Sequence, residues 1–103
     1  MASVTILYPS GHDFDLKYYL DTHMPLVSAQ WKQDGLRSWE ITQLDAGQPF
    51  QVQALLRWDS VAAWDAASTG PHGESVFADI PNFTTAQPVA VKGTTEAKAD
   101  FGA

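Results

Sequence analysis

The 103-residue sequence predicts an α+β domain in the order β-α-β-β-α-β, with one four-stranded antiparallel sheet and both helices on one of its faces. Three observations carry this. Phe50 to Trp58 alternates strictly, with Phe50, Val52, Ala54, Leu56 and Trp58 on one face and Gln51, Gln53, Leu55 and Arg57 on the other, the period of a half-buried strand. Leu16, Leu20, His23, Val27 and Trp31 are spaced by three or four residues, one stripe of a helix. The remaining runs fall between turn residues in the order of the split, ferredoxin-like unit.

The first strand is read in Val4, Ile6 and Tyr8, which alternate with Thr5 and Leu7 until Pro9-Ser10-Gly11 stops them. Asp13 is the expected cap of the first helix, with Asp15 adding charge to its first turn. Pro25 lacks an N–H and disfavours helical geometry at Met24, so the helix either kinks there or ends near His23 and restarts with Pro25 at its first position. Gly35 closes the region. Arg37 to Leu44 and the Phe50 strand, joined through Ala46-Gly47-Gln48-Pro49, form a hairpin. Asp59 or Ser60 caps a second helix over Val61 to Ser68, and Glu74 to Phe77 adds a turn. A last strand is expected over about Ala86 to Lys92, giving a domain of residues 1–92 and a tail of 93–103. The face without helices would carry Leu7 and Leu55 beside Gln51, Gln53 and Arg57. A second copy of the chain is the simplest cover for it, so a homodimer is expected.

Composition narrows the partners. The net charge is −6 and the six basic residues are scattered, so no patch exists to neutralise phosphates, and neither nucleic acid nor an anionic membrane surface is an expected partner. Cysteine is absent, which removes disulfides, thiolate nucleophiles and cysteine zinc sites together. The start MASVTILYP lacks a basic segment followed by a long apolar run, and nothing approaches the roughly 20 apolar residues of a membrane span. A cytoplasmic protein is the expectation.

Tyr8-Pro9, Phe14, Tyr18-Tyr19, His23-Met24-Pro25-Leu26-Val27 and Ala78-Asp79-Ile80-Pro81-Asn82-Phe83-Thr84 together resemble the EthD family, named for ethyl tert-butyl ether degradation, over nearly the whole domain. The resemblance implies the dimeric α+β barrel, in which a ferredoxin-like protomer packs its sheet against its partner's. It implies no single reaction. EthD itself accompanies a cytochrome P450 system, and the wider superfamily includes cofactor-free monooxygenases, polyketide cyclases, muconolactone isomerases and haem-binding decolorising peroxidases.

The candidate chemistry centres on His23, on the sheet-facing stripe with Tyr19 one turn earlier. A neutral imidazole in an apolar pocket suits a general base near neutral pH. A structural histidine bonded to a backbone carbonyl freed by Pro25, or to Tyr19, has the same appearance in sequence. Tyr8, Tyr18 and Tyr19 offer phenols to a carbonyl or a developing enolate. Trp39, Trp58, Trp64, Phe77 and Phe83 are candidates for a pocket wall, as well as for plain core. Glu40 and Arg57, on neighbouring strands, suggest an ion pair across the hairpin before a role in polarising a ligand inside the barrel. His12 and His72 lie in loops, and the three histidines lack metal-ligand spacing, so neither a metal nor another cofactor is expected.

The resulting expectation is a pocket between the sheet and the first helix that takes a hydrophobic, aromatic or polyketide-like metabolite. His23 and Tyr19 are the catalytic candidates there, and Tyr8, Trp39, Trp58, Phe77 and Phe83 the substrate-binding ones. Proton abstraction beside a carbonyl, leading to cofactor-independent oxygenation, cyclisation or isomerisation, is the leading chemistry. The alternative is a non-catalytic binder, or accessory subunit of an oxygenase system, in which His23 is structural.

Overall fold

The computed structural model describes residues 1–102. Strand β1 (Ala2–Pro9) leads into a helical arm made of α1 (Leu16–Tyr18), a π-helical turn (Tyr19–His23) and α2 (Met24–Trp31), which ends in a 3-10 turn (Lys32–Asp34). The hairpin of β2 (Leu36–Gln43) and β3 (Phe50–Trp58) follows. Then come α3 (Val61–Thr69), α4 (Pro71–Ala78), a 3-10 turn (Ile80–Asn82) and β4 (Val89–Thr94). The sheet is antiparallel throughout, in the order β2-β3-β1-β4, with all helices on one face. This is the ferredoxin-like protomer.

The alternation read in Phe50 to Trp58 holds: Val52, Ala54, Leu56 and Trp58 are buried beneath the helices. With Val4, Tyr8, Val27 and Trp31 they make a single core between sheet and helices. At its centre the rings of Trp31, Trp58 and Trp64 meet edge to face at 5.4–5.5 Å between centroids. Gly35 stands at φ 121°, a conformation that lets the chain turn from the 3-10 segment into β2. Gly73 is required by proximity, because a Cβ there would lie 2.7 Å from the Ser68 carbonyl of the neighbouring helix.

Three expectations shift. The first helix is capped by Asp15, whose side chain accepts from the Tyr18 N–H at 3.0 Å, and not by Asp13. Phe14 is still extended, bridged to Thr84, and the Asp15 N–H donates to the Phe83 carbonyl at 2.8 Å, so the helix cannot begin earlier. Strand β4 is shifted along the chain: it starts at Val89, not Ala86, and runs to Thr94, paired with Ala2, two residues past 92. Glu40 faces Leu55 across the hairpin while Arg57 faces Ser38, and no ion pair joins them. Arg37 instead binds Asp59 through two guanidinium nitrogens. Among the described residues no helix is long and apolar enough to cross a membrane.

Candidate functional site

Pro25 does not end the helix; it widens it. Having no N–H, it cannot donate to the Asp21 carbonyl four residues back. The turn before it closes instead with the Met24 N–H bonded to the Tyr19 carbonyl, five residues back, which is π geometry. Tyr19 and His23 are both buried and their rings stack at 5.3 Å and 16°. Leu20, expected on the buried stripe, is instead 41% exposed.

His23 does not stand alone. Its Nδ1 lies 2.9 Å from Oδ2 of Asp79, which follows α4 and opens the 3-10 turn Ile80–Asn82. The other Asp79 oxygen accepts from the Tyr18 hydroxyl at 2.6 Å and from the Asn82 side-chain amide at 2.9 Å. Phe83 covers the imidazole from the side at 4.7 Å. An ionised carboxylate only accepts, so Nδ1 carries the ring hydrogen and Nε2 presents its lone pair. Burial lowers the His23 pKa, and Asp79 offsets that only in part, so the resting imidazole is neutral near pH 7. Burial pushes the Asp79 carboxyl up, but the hydrogen bonds from Tyr18, Asn82 and His23 outweigh it and hold it below the usual carboxylate range.

A cavity of about 150 Å³ opens beside this pair, between sheet and helices. Its floor is the row Ala54–Ile6–Ala90, neighbours in register across β3, β1 and β4, where two small side chains flank one large one. Tyr8, Tyr19 and His23 line its inner end, and Trp31 and Trp64 its wall. Burial raises both phenols far above their ordinary value, so they stay protonated. Each of the two neutral hydroxyls retains a hydrogen it can donate. The cavity therefore pairs one basic nitrogen with neutral phenol donors inside an apolar wall. Phe77, 41% exposed, stands at its mouth.

Of the residues singled out from sequence, Tyr8, Tyr19, His23, Trp64 and Phe77 meet at this cavity. Trp58, Trp39 and Phe83 do not line it. Trp58 is fully buried in the tryptophan cluster, and Phe83 lies behind the imidazole. Trp39 sits on edge strand β2, 38% exposed, its indole N–H bonded to Ser28. His12 contacts Thr85 and His72 contacts Asp34, both at the surface. Among the described residues no group of three or more ligating side chains could hold a metal ion. Asp79 and Asn82 carry no candidate role in the sequence, and Tyr18 only that of one phenol among three, although all three residues stand in the motifs that carry the family resemblance. Their block membership was the available signal; the 56-residue separation of His23 and Asp79 hid the pairing.

No family model matches the chain, and no curated protein does. Solved structures do. An EthD-like protein from Ralstonia eutropha JMP134 superposes with a TM-score of 0.80 at 27% identity, over 95% of this chain and 94% of that one. An ethyl tert-butyl ether degradation (EthD) family protein from Bacillus halodurans C-125 gives 0.71 at 20% identity, over 92% and 98%. SnoaB, a cofactor-independent oxygenase from Streptomyces nogalater, in its N63A mutant form, gives 0.66 at 10% identity, over 94% and 93%, a likeness of fold alone. With His23–Val27 and Asp79–Thr84 meeting beside one cavity in the matching fold, the chain is similar to EthD-like proteins and has the fold of the dimeric α+β barrel type.

Proposed function

We propose that the protein binds a small hydrophobic carbonyl compound in the cavity and removes a proton beside its carbonyl. The observation that carries this is the Asp79–His23 pair, whose remaining nitrogen Nε2 has no protein partner among the described residues and belongs to a cavity-lining side chain. The C–H bond breaks, its proton passes to Nε2, and its electrons move onto the carbonyl oxygen. The Tyr8–Tyr19 pair supplies the donor for that oxygen. Asp79 stabilises the imidazolium that forms and holds the ring in the Nδ1–H tautomer. The enolate then takes the proton back at another carbon, closes onto an internal electrophile, or is oxygenated with dioxygen as co-reactant. The fold likeness to a cofactor-independent oxygenase supports the general kind of chemistry and not a substrate.

We also propose that the working form is a homodimer. The helix-free sheet face bears Leu7 and Leu55, and on β4 Val89 and Val91, 43% and 50% exposed. That apolar strip crosses the sheet centre and its edge, and the fold type pairs such faces. A solution mass of one chain at micromolar concentration would remove this proposal.

The chemistry is tested with 2-indanone in deuterium oxide, following loss of its α-hydrogens by NMR. The wild type is expected to accelerate exchange, and His23→Gln, which keeps size and polarity, to lower the rate at least about a hundredfold with folding intact. Unchanged exchange in His23→Gln would end the catalytic reading. Binding of 2-indanone without exchange would favour the binder or accessory-subunit reading, with His23 structural.

A further inference from the structure

The cavity shares part of its lining with a second hollow. Phe77, Ile80 and Pro88 line the cavity, and the same three residues line a surface groove of about 550 Å³ that runs past Pro81, Thr85 and Gln87. The two hollows differ in chemistry. At its inner end the cavity is walled by buried aromatic and aliphatic groups, whereas the groove is partly polar and has no charged lining residue. Its hydroxyls are already engaged: Thr84 donates to the Asp13 carbonyl at 2.6 Å, and Thr85 contacts His12 at 3.1 Å. The Gln87 amide has no protein partner among the described residues, and it is the free polar group of the groove. Pro81 and Pro88 restrict the backbone on either side, so little ordering is needed on binding.

Size points the same way. A hollow near 150 Å³ is the scale that encloses a single benzene-sized molecule. Ordinary ligand sites occupy roughly 300–1,000 Å³, a range the cavity falls short of by itself and reaches when the groove is added to it. Phe77 is a large apolar side chain left 41% exposed at their junction, a surface that a ligand crossing from one to the other would cover.

We infer that the ligand is an elongated, uncharged molecule: an apolar carbonyl-bearing end fills the cavity, and a neutral polar extension lies in the groove across Phe77, Ile80 and Pro88. This rests on the reading that the cavity admits a ligand, though not on any step of the chemistry. Calorimetry with two probes separates the two ideas. One probe is 2-indanone; the other is 2-indanone carrying a neutral tri(ethylene glycol) methyl ether on its ring. The extended probe is expected to bind at least about tenfold tighter to the wild-type protein. Thr85→Trp and Gln87→Trp, which fill the groove, should abolish that advantage while leaving 2-indanone affinity unchanged. Equal affinity of the two probes for the wild type, or an advantage that survives both groove variants, overturns the inference while leaving the cavity reading standing. A carboxylate-ended chain binding as tightly as the neutral one overturns the requirement for an uncharged ligand. Failure of both probes to bind at millimolar concentration overturns the cavity reading and this inference together.

Discussion

The molecule contains the same chemical pair twice. His23 and Asp79 meet at 2.9 Å, and His72 and Asp34 at 2.7 Å, so distance alone would rank the second pair first. Their surroundings reverse that order. The His23 and Asp79 side chains are 4% and 12% exposed, against 51% and 27% for His72 and Asp34. The buried carboxylate also accepts from Tyr18 and Asn82, so its charge is held in one place by three donors. The surface pair is solvated and free to exchange partners with water. Burial and the additional donors, rather than contact length, convert an imidazole–carboxylate pair into a directed base.

The largest difference is expected when each carboxylate is removed. Asp79→Ala strands three donors, two of them in the Phe83 cluster, and should cost about 3 kcal/mol in urea unfolding. Asp34→Ala should stay within about 0.5 kcal/mol. Similar costs for the two would mean that the inner pair is solvated after all.

Asp79→Asn sharpens the comparison further, because an amide can donate to Nδ1. The ring hydrogen then moves to Nε2 and the lone pair facing the cavity is lost. Exchange of 2-indanone should fall about a hundredfold, a loss close to that of His23→Gln, with far less destabilisation than in Asp79→Ala.

Acidification should weaken the folded protein. The His23 imidazole binds its proton less readily when folded than at its ordinary 6.5, so below about that pH the unfolded chain takes up the proton first and stability falls. The loss levels off once pH passes below the folded value. Asp79 adds a second loss at lower pH: its stabilisation is present above the ordinary 3.8 and disappears as pH falls through its depressed folded value. Urea midpoints should therefore drop between pH about 7 and about 5, and His23→Gln should flatten that drop. An unchanged slope in the variant would show that other groups carry it.

The smallest effect is reserved for Tyr18→Phe. Removing this donor leaves more of the Asp79 charge for the imidazolium, so the acid limb of the exchange-rate profile should move upward by a few tenths of a pH unit. Movement in the opposite direction would contradict the charge-sharing arrangement.

The strands, the hairpin and the position of His23 on the sheet side of the first helical arm follow from the chain's periodicity, because alternation and helical spacing are local properties. Pro25 signalled that the helix would be disturbed there, since a missing N–H is legible in one residue. His23–Val27 and Ala78–Thr84, which meet beside the cavity, are also legible as motifs in the sequence. Its register of donors was beyond local reading. Whether Pro25 would split the arm or only distort it could not be read from one residue: the arm continues through a π turn, with Tyr19 buried as its spacing from His23 predicts and Leu20 exposed against its own. Trp58 and Trp39 resembled each other as candidates on adjacent strands, yet one lies at the centre of the sheet and the other at its edge, a matter of strand order. Above all, the carboxylate that orients His23 comes from a turn 56 residues later. Hydrophobic pattern determines which face of each element is buried; only the closing of α4 and its 3-10 turn over the π turn decides which polar groups are buried together.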